Sequence, residues 1–272
     1  MLSQELEPDW EDVWCVIPAF NETSTIRRLA VTLLEICPRV IVVDDCSTDG
    51  TSKQLYDLPV KLLSHKTNLG KAACLKTAFA YAASKGAAAV ITLDGDGQHD
   101  PSDAKRLLAL WRAHPDSLII GSRLHDQKNF PRGRYLANRI ACFWISWAAG
   151  HAIADTQSGF RIYPASVIEL ILNGHVKSSR FTFESEVLIE AARAGTKTMA
   201  ISIRGHYPSN ARPSHFRPVV DITKIILMVA YKLLQGGMLP LGLLSSLRTK
   251  PIIDPFQSDS KPDQRTPGHR HE

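Results

Sequence analysis

The stretch that organises this chain is ITLDGDGQHD, at residues 91–100. The apolar residues 87–91 lead into it and predict a buried parallel strand. Asp94 and Asp96 follow as that strand ends, and the glycines around Asp96 allow the backbone to turn and approach a ligand closely. Two carboxylates separated by one residue can converge on one hard cation. The alternative is a solvated turn rich in Asp and Gly.

A second acidic turn, VDDCSTDG at residues 43–50, favours the ligand-site interpretation because it also follows an apolar strand. Strands are predicted at residues 13–18, 40–43, 60–63, 87–93, 118–121 and 199–203, and helical patterns separate most of them. This alternation predicts βαβ units and an α/β fold with a mostly parallel sheet. Such sheets bind ligands at the carboxyl ends of their strands.

Bulk composition narrows the class of protein. The chain has 272 residues, of which 44% are hydrophobic, so one large domain with an appendage can bury a substantial core. A net charge of +5 suits an anionic substrate or membrane surface better than a dedicated nucleic-acid binder. The five cysteines form no Cys-x-x-Cys pair or zinc-ligand cluster in the sequence, and the N-terminus lacks a signal-peptide pattern, so we expect reduced thiols in the cytoplasm.

Five motifs occur in order along the chain: VIPAFNE at residues 16–22, VDDCSTDGT at 43–51, NLGK at 68–71, LDGDGQH at 93–99 and GSR at 121–123. Together they resemble the inverting, nucleotide-sugar-dependent glycosyltransferases of family two. Within that family, the motifs resemble those of the dolichyl- or polyprenyl-phosphate mannosyl- and glucosyltransferases. The resemblance covers approximately residues 12–215.

The resemblance implies a GT-A (Rossmann-like) nucleotide-binding fold and a donor site. Its nucleotide-sugar residues would be Pro18, Ala19, Phe20 and Glu22 for the nucleoside, Asp45 for the base or ribose, and Asn68, Lys71 and Asp94 for the diphosphate end. Asp94, Asp96 and Gln98 would hold Mg²⁺ or Mn²⁺, since hard oxygen ligands favour these ions. Asp96 and Glu184 are the predicted catalytic residues.

The second half of the chain is expected to bind the acceptor. The resemblance implies a lipid-phosphate site formed by Ser122, Arg123, Arg134, Asn138 and Arg212, and it places the segment DTQSGFR at residues 155–161 beside it. Arg134 and Asn138 are one helical turn apart and can face one ligand. The alternative for the arginines is a solvated basic face. In relatives that glycosylate hydroxyls, a carboxylate near Glu184 is the general base; an ionised phosphate acceptor needs none, and Glu184 would then position groups.

The C-terminal part differs in character. Residues 12–218 are predicted to form the GT-A domain, residues 219–247 two amphipathic helices, and residues 250–272 a disordered tail rich in polar residues. Neither helix reaches the roughly 20 apolar residues that span a bilayer. We expect them to lie in a membrane interface, and the alternative is packing on the protein's own core. The chain would then be peripheral at the cytoplasmic face of a membrane.

The leading hypothesis is a metal-dependent inverting glycosyltransferase that moves a hexose from a GDP- or UDP-hexose to a polyprenyl phosphate or another lipid-linked acceptor. One alternative is transfer to a hydroxyl of a glycolipid or polysaccharide. Another is a non-catalytic nucleotide-sugar-binding subunit, against which the intact acidic pair argues. A nucleotidyltransferase would use a triphosphate, and the chain has no Gly-x-x-x-x-Gly-Lys-Ser loop.

Overall fold

The structure, a computed structural model, describes residues 9–124, 132–178, 182–205, 218–235 and 240–254. The strands within these residues are β1 (Val13–Ala19), β2 (Val40–Asp44), β3 (Lys61–Ser64), β4 (Ala89–Thr92), β5 (Leu118–Ser122), β6 (Arg161–Pro164), β7 (Thr198–Ser202) and β8 (Ile252–Ile253). They form one sheet in the order β3-β2-β1-β4-β6-β5-β7-β8. All pairs are parallel except those of β6 with β4 and β5, so the predicted mostly parallel sheet is confirmed.

The helices are α1 (Ile26–Leu34), α2 (Lys71–Ser84), α3 (Ala104–Ala113), α4 (Arg132–Ala149), α5 (Ala165–Leu172), α6 (Phe183–Arg193), α7 (Pro218–Gln235) and α8 (Pro240–Arg248). Short 3-10 turns occupy Ser52–Leu55 and Pro101–Asp103. The amphipathic pattern accounts for the burial of α1: Ile26, Leu29 and Leu33 recur at helical spacing and are all buried.

Two apolar cores lie on opposite faces of the sheet. Successive residues of β1 alternate between them, so Val16 packs in the core that includes α2 and α6, and Ile17 packs in the core that includes α1 and α3. Because both faces of the central strands are covered, β2 and β4 are apolar up to their last residues, Asp44 and Thr92. The carboxyl ends of β1, β2 and β4 are left at one edge of the sheet, where the acidic turns begin.

The sequence patterns did not predict β6 or α5. Strand β6 lies antiparallel between β4 and β5, and Ile162 pairs with both Ile91 and Ile119. A run of four residues that begins with Arg161 and ends with Pro164 has no recognisable period, so its position in the sheet depends on long-range pairing.

The C-terminal helices pack on the domain and also present an exposed face. Ile225, Val229 and Leu233 of α7 lie in the core. No helix among the described residues is both long and apolar enough to cross a bilayer. The prediction of a disordered tail is wrong at Ile252 and Ile253, which pair with β7 as an edge strand; residues 255–272 lie outside the described part.

Candidate active site

The loops that follow β1 and β2 are hydrogen-bonded to each other at the carboxyl edge of the sheet. Asn21 Oδ1 accepts from the Thr48 amide, and the Asn21 amide donates to Ser47 Oγ, each at 2.8 Å. The Glu22 amide donates to Thr51 Oγ1, also at 2.8 Å. The predicted nucleoside segment is therefore held in place by the second acidic turn.

The loop after β4 packs against the loop that follows β1. Thr25 Oγ1 donates to the carbonyl of Gly95 at 2.6 Å. A Cβ at Gly95 would lie 3.0 Å from the carbonyl oxygen of Pro18, so glycine lets this acidic loop approach the end of β1. The predicted nucleoside residues meet at this junction, with Ala19 buried and Pro18, Phe20 and Glu22 half-buried.

Asp45 is enclosed, with only 2% of the residue exposed. Its carboxylate accepts hydrogen bonds from the amides of Leu69 at 2.9 Å and Gly70 at 2.7 Å. Asn68 Nδ2 approaches the Asp45 carbonyl at 3.5 Å. In this arrangement Asp45 holds the loop that begins α2, and its contact with a base or ribose stays a prediction.

The ammonium group of Lys71 joins three distant segments. It forms an ion pair with Asp94, and its Nζ lies 3.0 Å from Oε1 of Glu184. Glu184 Oε1 is buried and accepts no well-aligned hydrogen bond. Its contact with Lys71 is therefore an ion pair and not a hydrogen bond. A Cβ at Gly159 would lie 2.6 Å from Lys71 Nζ, so the DTQSGFR segment closes tightly against this group.

Burial and the neighbouring charges shift the pKa values of Asp94, Lys71 and Asp96. Burial disfavours the charged form of Asp94, but the surrounding positive charges, that of Lys71 first, together outweigh it and hold the pKa of Asp94 below its usual value. Burial also disfavours the Lys71 ammonium, but Asp94 and Glu184 outweigh it and raise the pKa of Lys71. Asp96 is exposed, yet partial desolvation and the negative charge of Asp94 raise its pKa.

The acidic loop fits a hard divalent cation. Asp94 and Asp96 are like charges close enough for one to raise the pKa of the other, and a bound cation would neutralise them. The backbone amide of Gln98 donates to Asp96 Oδ1 at 3.0 Å, and this hydrogen bond orients the Asp96 carboxylate. The carboxylates of Asp94 and Asp96 and the side-chain oxygen of Gln98 are therefore the expected ligands.

His99 completes the acidic loop as a neutral group. It is 2% exposed, and its ring lies 5.4 Å from that of Phe160. Burial and the nearby charge of Arg123 lower its pKa to about 4. His99 is thus uncharged at neutral pH and adds no positive charge to the site.

Arg161 connects two segments that border the site. Its guanidinium is fully buried and donates to the carbonyls of Ser158 at 2.7 Å, Thr156 at 2.8 Å and Glu184 at 2.9 Å. One side chain therefore ties the segment around Gly159 to the start of α6.

Two of the predicted acceptor residues come together, but around a carboxylate of the protein, and a third lies directly before one of them. Arg123 donates to Asp155 through its amide at 2.8 Å and its Nε at 3.1 Å, and Asn138 Nδ2 donates to Asp155 Oδ1 at 2.7 Å. Ser122, directly before Arg123, is buried at the end of β5. Burial opposes ionisation of Asp155, but Arg123 outweighs it and lowers its pKa.

The other two predicted acceptor residues are not covered. Arg134 belongs to the first turn of α4, outside the described side chains, and Arg212 lies outside the described residues. The acceptor roles of all five residues stay predictions.

Sequence reasoning missed two sets of residues. Asp155 and Arg161 lie in the DTQSGFR segment, which was noted without roles for them; the buried charges identify those roles. His65 and Cys74 were not singled out, yet they join Asp45 in a cluster whose potential ligand atoms lie within 4.8 Å of one another. These residues come from three separate segments, so no local spacing indicates the cluster.

The chain is similar in sequence to known proteins. Residues 14–169 match the family model described as Glycosyl transferase family 2. The UDP-N-acetylglucosamine–dolichyl-phosphate N-acetylglucosaminyltransferase of Methanococcus voltae is 27% identical, over 66% of this chain and 80% of that protein. Polyprenol monophosphomannose synthase of Mycolicibacterium smegmatis is 28% identical over 69% and 75%, and undecaprenyl-phosphate mannosyltransferase of Micrococcus luteus is 27% identical over 70% and 82%.

A solved structure supports the fold. Glucosyl-3-phosphoglycerate synthase from Mycobacterium tuberculosis, in complex with Mn²⁺, UDP-glucose and phosphoglyceric acid, superposes with a TM-score of 0.57 at 17% identity, covering 84% of this chain and 80% of that chain. This likeness confirms the predicted GT-A-like α/β fold. The family match over more than half of the chain shows its lineage: the chain belongs to glycosyl transferase family 2, and it is a glycosyltransferase.

Proposed function

We propose that this enzyme transfers a hexose from a nucleoside-diphosphate sugar to a polyprenyl phosphate, with inversion at the anomeric carbon and with the help of Mg²⁺ or Mn²⁺. The observation that carries the proposal is the position of Lys71 between Asp94 and Glu184. Asp96 lies two residues after Asp94 in the same loop. One cation and an acidic pair at the carboxyl edge of the sheet are what a diphosphate and its metal ion require.

The donor end of the reaction depends on charge. The nucleoside lies against the loop at residues 18–22, and the diphosphate lies toward Lys71 at the start of α2. When bound, a divalent cation on Asp94 and Asp96 supplies Lewis-acid stabilisation of the departing diphosphate. Lys71 adds a fixed positive charge, which is held ionised by its two carboxylate partners.

The acceptor end follows from the chemistry of phosphate. An acceptor phosphate oxygen attacks the anomeric carbon from the face opposite the diphosphate, and the bond to the diphosphate oxygen breaks. A phosphate monoester has a second pKa of about 6, so it attacks in its ionised form and needs no base. Glu184 then serves to hold Lys71. The names of the three relatives above, each of which specifies a polyprenol or a polyprenyl or dolichyl phosphate, support this class of acceptor.

Transfer to a hydroxyl group is the second candidate. It is favoured by the burial of Glu184 Oε1 beside Lys71, which also pairs with Asp94. In that reaction Glu184 would take the proton of the attacking hydroxyl.

The exposed surface of the helices suits a lipid-linked acceptor. Large apolar side chains on α4, α7 and α8 are exposed: Leu136, Ile140, Phe143, Ile226, Leu227, Tyr231, Leu234, Leu244 and Leu247. Exposed basic residues accompany them, namely Arg139, Lys224 and Arg248, and neither α4 nor α8 contains an acidic residue. Apolar side chains with basic neighbours favour the interface of an anionic membrane. We propose that these helices rest on the membrane that holds the acceptor.

The experiment supplies full-length protein with a panel of radiolabelled GDP- and UDP-sugars, Mn²⁺ or Mg²⁺, and short-chain polyprenyl phosphate in vesicles. Label that moves into organic-extractable lipid, only with one donor and only with metal, supports the proposal and identifies the sugar. Label that instead enters a glycolipid or polysaccharide hydroxyl supports the second candidate. Failure to transfer from any donor to any acceptor contradicts both.

A further inference from the structure

A chain of hydrogen bonds lies behind the loop that leads into α2. Thr77 Oγ1 lies 3.0 Å from His65 Nε2, and His65 Nδ1 lies 2.8 Å from Asp45 Oδ1. The Asp45 carboxylate in turn accepts from the amides of Leu69 and Gly70, at 2.9 and 2.7 Å. The chain therefore runs from the middle of α2, through the ends of β3 and β2, back to the start of α2.

The Asp45 carboxylate already accepts two backbone amides, so it is the acceptor for His65 Nδ1 as well. In the neutral ring that carries its proton on Nδ1, Nε2 then accepts the hydroxyl proton of Thr77. The side chains of His65 and Asp45 are only 10% and 3% exposed, so water has little access to replace either partner. A buried carboxylate that loses a hydrogen-bond donor is costly, and the chain holds Asp45 in one orientation for this reason.

The orientation of Asp45 sets the backbone directly before Lys71. Gly70 has a φ of +88°. The hydrogen bonds from the Leu69 and Gly70 amides to Asp45 hold this conformation in place. Lys71 is the next residue and the first of α2, and its ammonium reaches Asp94 and Glu184 from there. A shift of this turn would move the only group that links those two carboxylates in the described part of the site.

We propose that His65, fixed by Thr77, is a positioning residue for the nucleotide-sugar. It holds Asp45, which holds the turn at Gly70, which places the Lys71 ammonium where the diphosphate binds. The inference rests on the proposed function for its ligand, a nucleoside diphosphate, and on the hydrogen bonds alone for its mechanism.

The same residues could be read as a metal site, because Cys74 completes a trio with Asp45 and His65. Structural zinc sites use four protein ligands, and this trio supplies three. The Asp45 carboxylate already accepts from two amides and the imidazole. Zinc would have to displace these donors, so the hydrogen-bonded arrangement fits the observed atoms better.

The test compares His65→Ala, His65→Asn and Thr77→Val with a matched control, His151→Ala. His151 is also half-buried and also contacts a threonine hydroxyl, with its Nε2 2.9 Å from Thr198 Oγ1, but it does not contact the donor loops. The readouts are the KM for the nucleotide-sugar, the KM for the acceptor, kcat, and hydrogen exchange of the Leu69 and Gly70 amides.

We expect His65→Ala to raise the donor KM by about ten- to a hundredfold, since hydrogen bonds to charged groups are of that strength, and to leave the acceptor KM unchanged. Exchange of the two amides should accelerate. The Asn variant, whose amide can donate from near the position of Nδ1, should recover most of the loss. Thr77→Val should show a smaller change of the same kind, and His151→Ala none in donor KM.

Two results would overturn the inference. One is a wild-type donor KM with unchanged amide exchange in His65→Ala. The other is one zinc ion per chain in the purified protein that is lost in both His65→Ala and Cys74→Ser. If the wild-type protein transfers no sugar, the proposed function fails, and amide exchange in the His65 variants still decides whether this residue holds the loop.

Discussion

The Nζ atom of Lys71 lies 3.0 Å from Oε1 of Glu184, and the same ammonium pairs with Asp94. The start of α2, the loop after β4 and the start of α6 therefore share one positive charge. Glu184 is already engaged with a cation, so a role as a proton acceptor would compete with this ion pair. This relationship is the structural reason for favouring a positioning role for Glu184.

Replacement of Glu184 by Gln tests that role. With a phosphate acceptor we expect a fall in kcat of about tenfold, because Lys71 loses one partner but no proton transfer is lost. Loss of a general base would cost about 10²- to 10⁴-fold. Steady-state kinetics with saturating donor distinguishes the two, with Glu169→Gln on the exposed face of α5 as the control. A near-complete loss of turnover in Glu184→Gln alone would favour the hydroxyl acceptor.

Substitution of Gly159 by Ala should impair the donor site. The added Cβ would lie 2.6 Å from Lys71 Nζ and would force the ion pair with Asp94 apart. We expect kcat/KM to fall by about tenfold or more, since small misplacements of catalytic groups are costly.

Gly174→Ala is the matched control for this glycine. Gly174 has a φ of +81°, and a Cβ there would meet nothing within 4 Å. Its cost should appear in stability alone, at about 1 kcal/mol. Full activity in Gly159→Ala would show that Lys71 does not need its present position.

Loss of the Arg161 guanidinium should destabilise the fold. Arg161→Met leaves three buried carbonyls without the donors they have now. We expect the free energy of unfolding to fall by about 3–5 kcal/mol in urea denaturation. Arg27→Met, which removes an exposed ion pair with Asp57, should have a much smaller effect. Equal effects would mean that Arg161 does not anchor the site.

The ion pairs between α6 and α7 predict a pH dependence of stability. Lys232 Nζ lies 2.6 Å from Glu186 Oε1 and 2.7 Å from Glu190 Oε1. Burial opposes ionisation of Glu186, but Lys232 and the hydrogen bonds from Ser178 together outweigh it and lower the pKa of Glu186 below 4.5. A depressed carboxylate pKa contributes stability above the unfolded-state pKa, and this contribution is lost as pH falls through the lower folded-state value.

Lys232→Met removes the part of this contribution that comes from the ion pair and leaves the Ser178 hydrogen bond. The Tm of the wild-type protein should therefore exceed that of the variant most at neutral pH, and the difference should shrink as the pH falls below 4.5. Thermal unfolding monitored at several pH values measures the difference. A difference that is constant between pH 7 and pH 3 would contradict the assigned ion pair.

The sequence predicted those parts of the fold and site that local patterns determine. Uninterrupted apolar strands identified the parallel sheet, and the strand ends located Asp45, Asp94 and Asp96. The contact between Lys71 and Glu184 could not be predicted, because it depends on how α6 packs beside α2. Strand β6 could not be predicted either, because its place between β4 and β5 is set by long-range pairing.

The acceptor residues show a different limit. The spacing within α4 predicted that Asn138 faces a ligand, and Arg123 was expected to contact the same one. In the structure both contact Asp155, which has a left-handed φ of +44°. A helical spacing indicates which face of the helix a side chain occupies. It does not reveal that a carboxylate of the protein itself, Asp155, contacts that face.

The measurement that tests the central claim most directly is metal-dependent sugar transfer by Asp96→Asn beside Asp100→Asn. Both changes remove one negative charge from the same loop, but Asp100 caps a 3-10 turn through the Ser102 amide, a role that Asn also fills well. We predict a loss of about a hundredfold or more in Asp96→Asn and near-normal, metal-dependent transfer in Asp100→Asn. Equal transfer by Asp96→Asn and the wild-type protein would contradict the claim that this acidic pair holds the donor diphosphate and its cation.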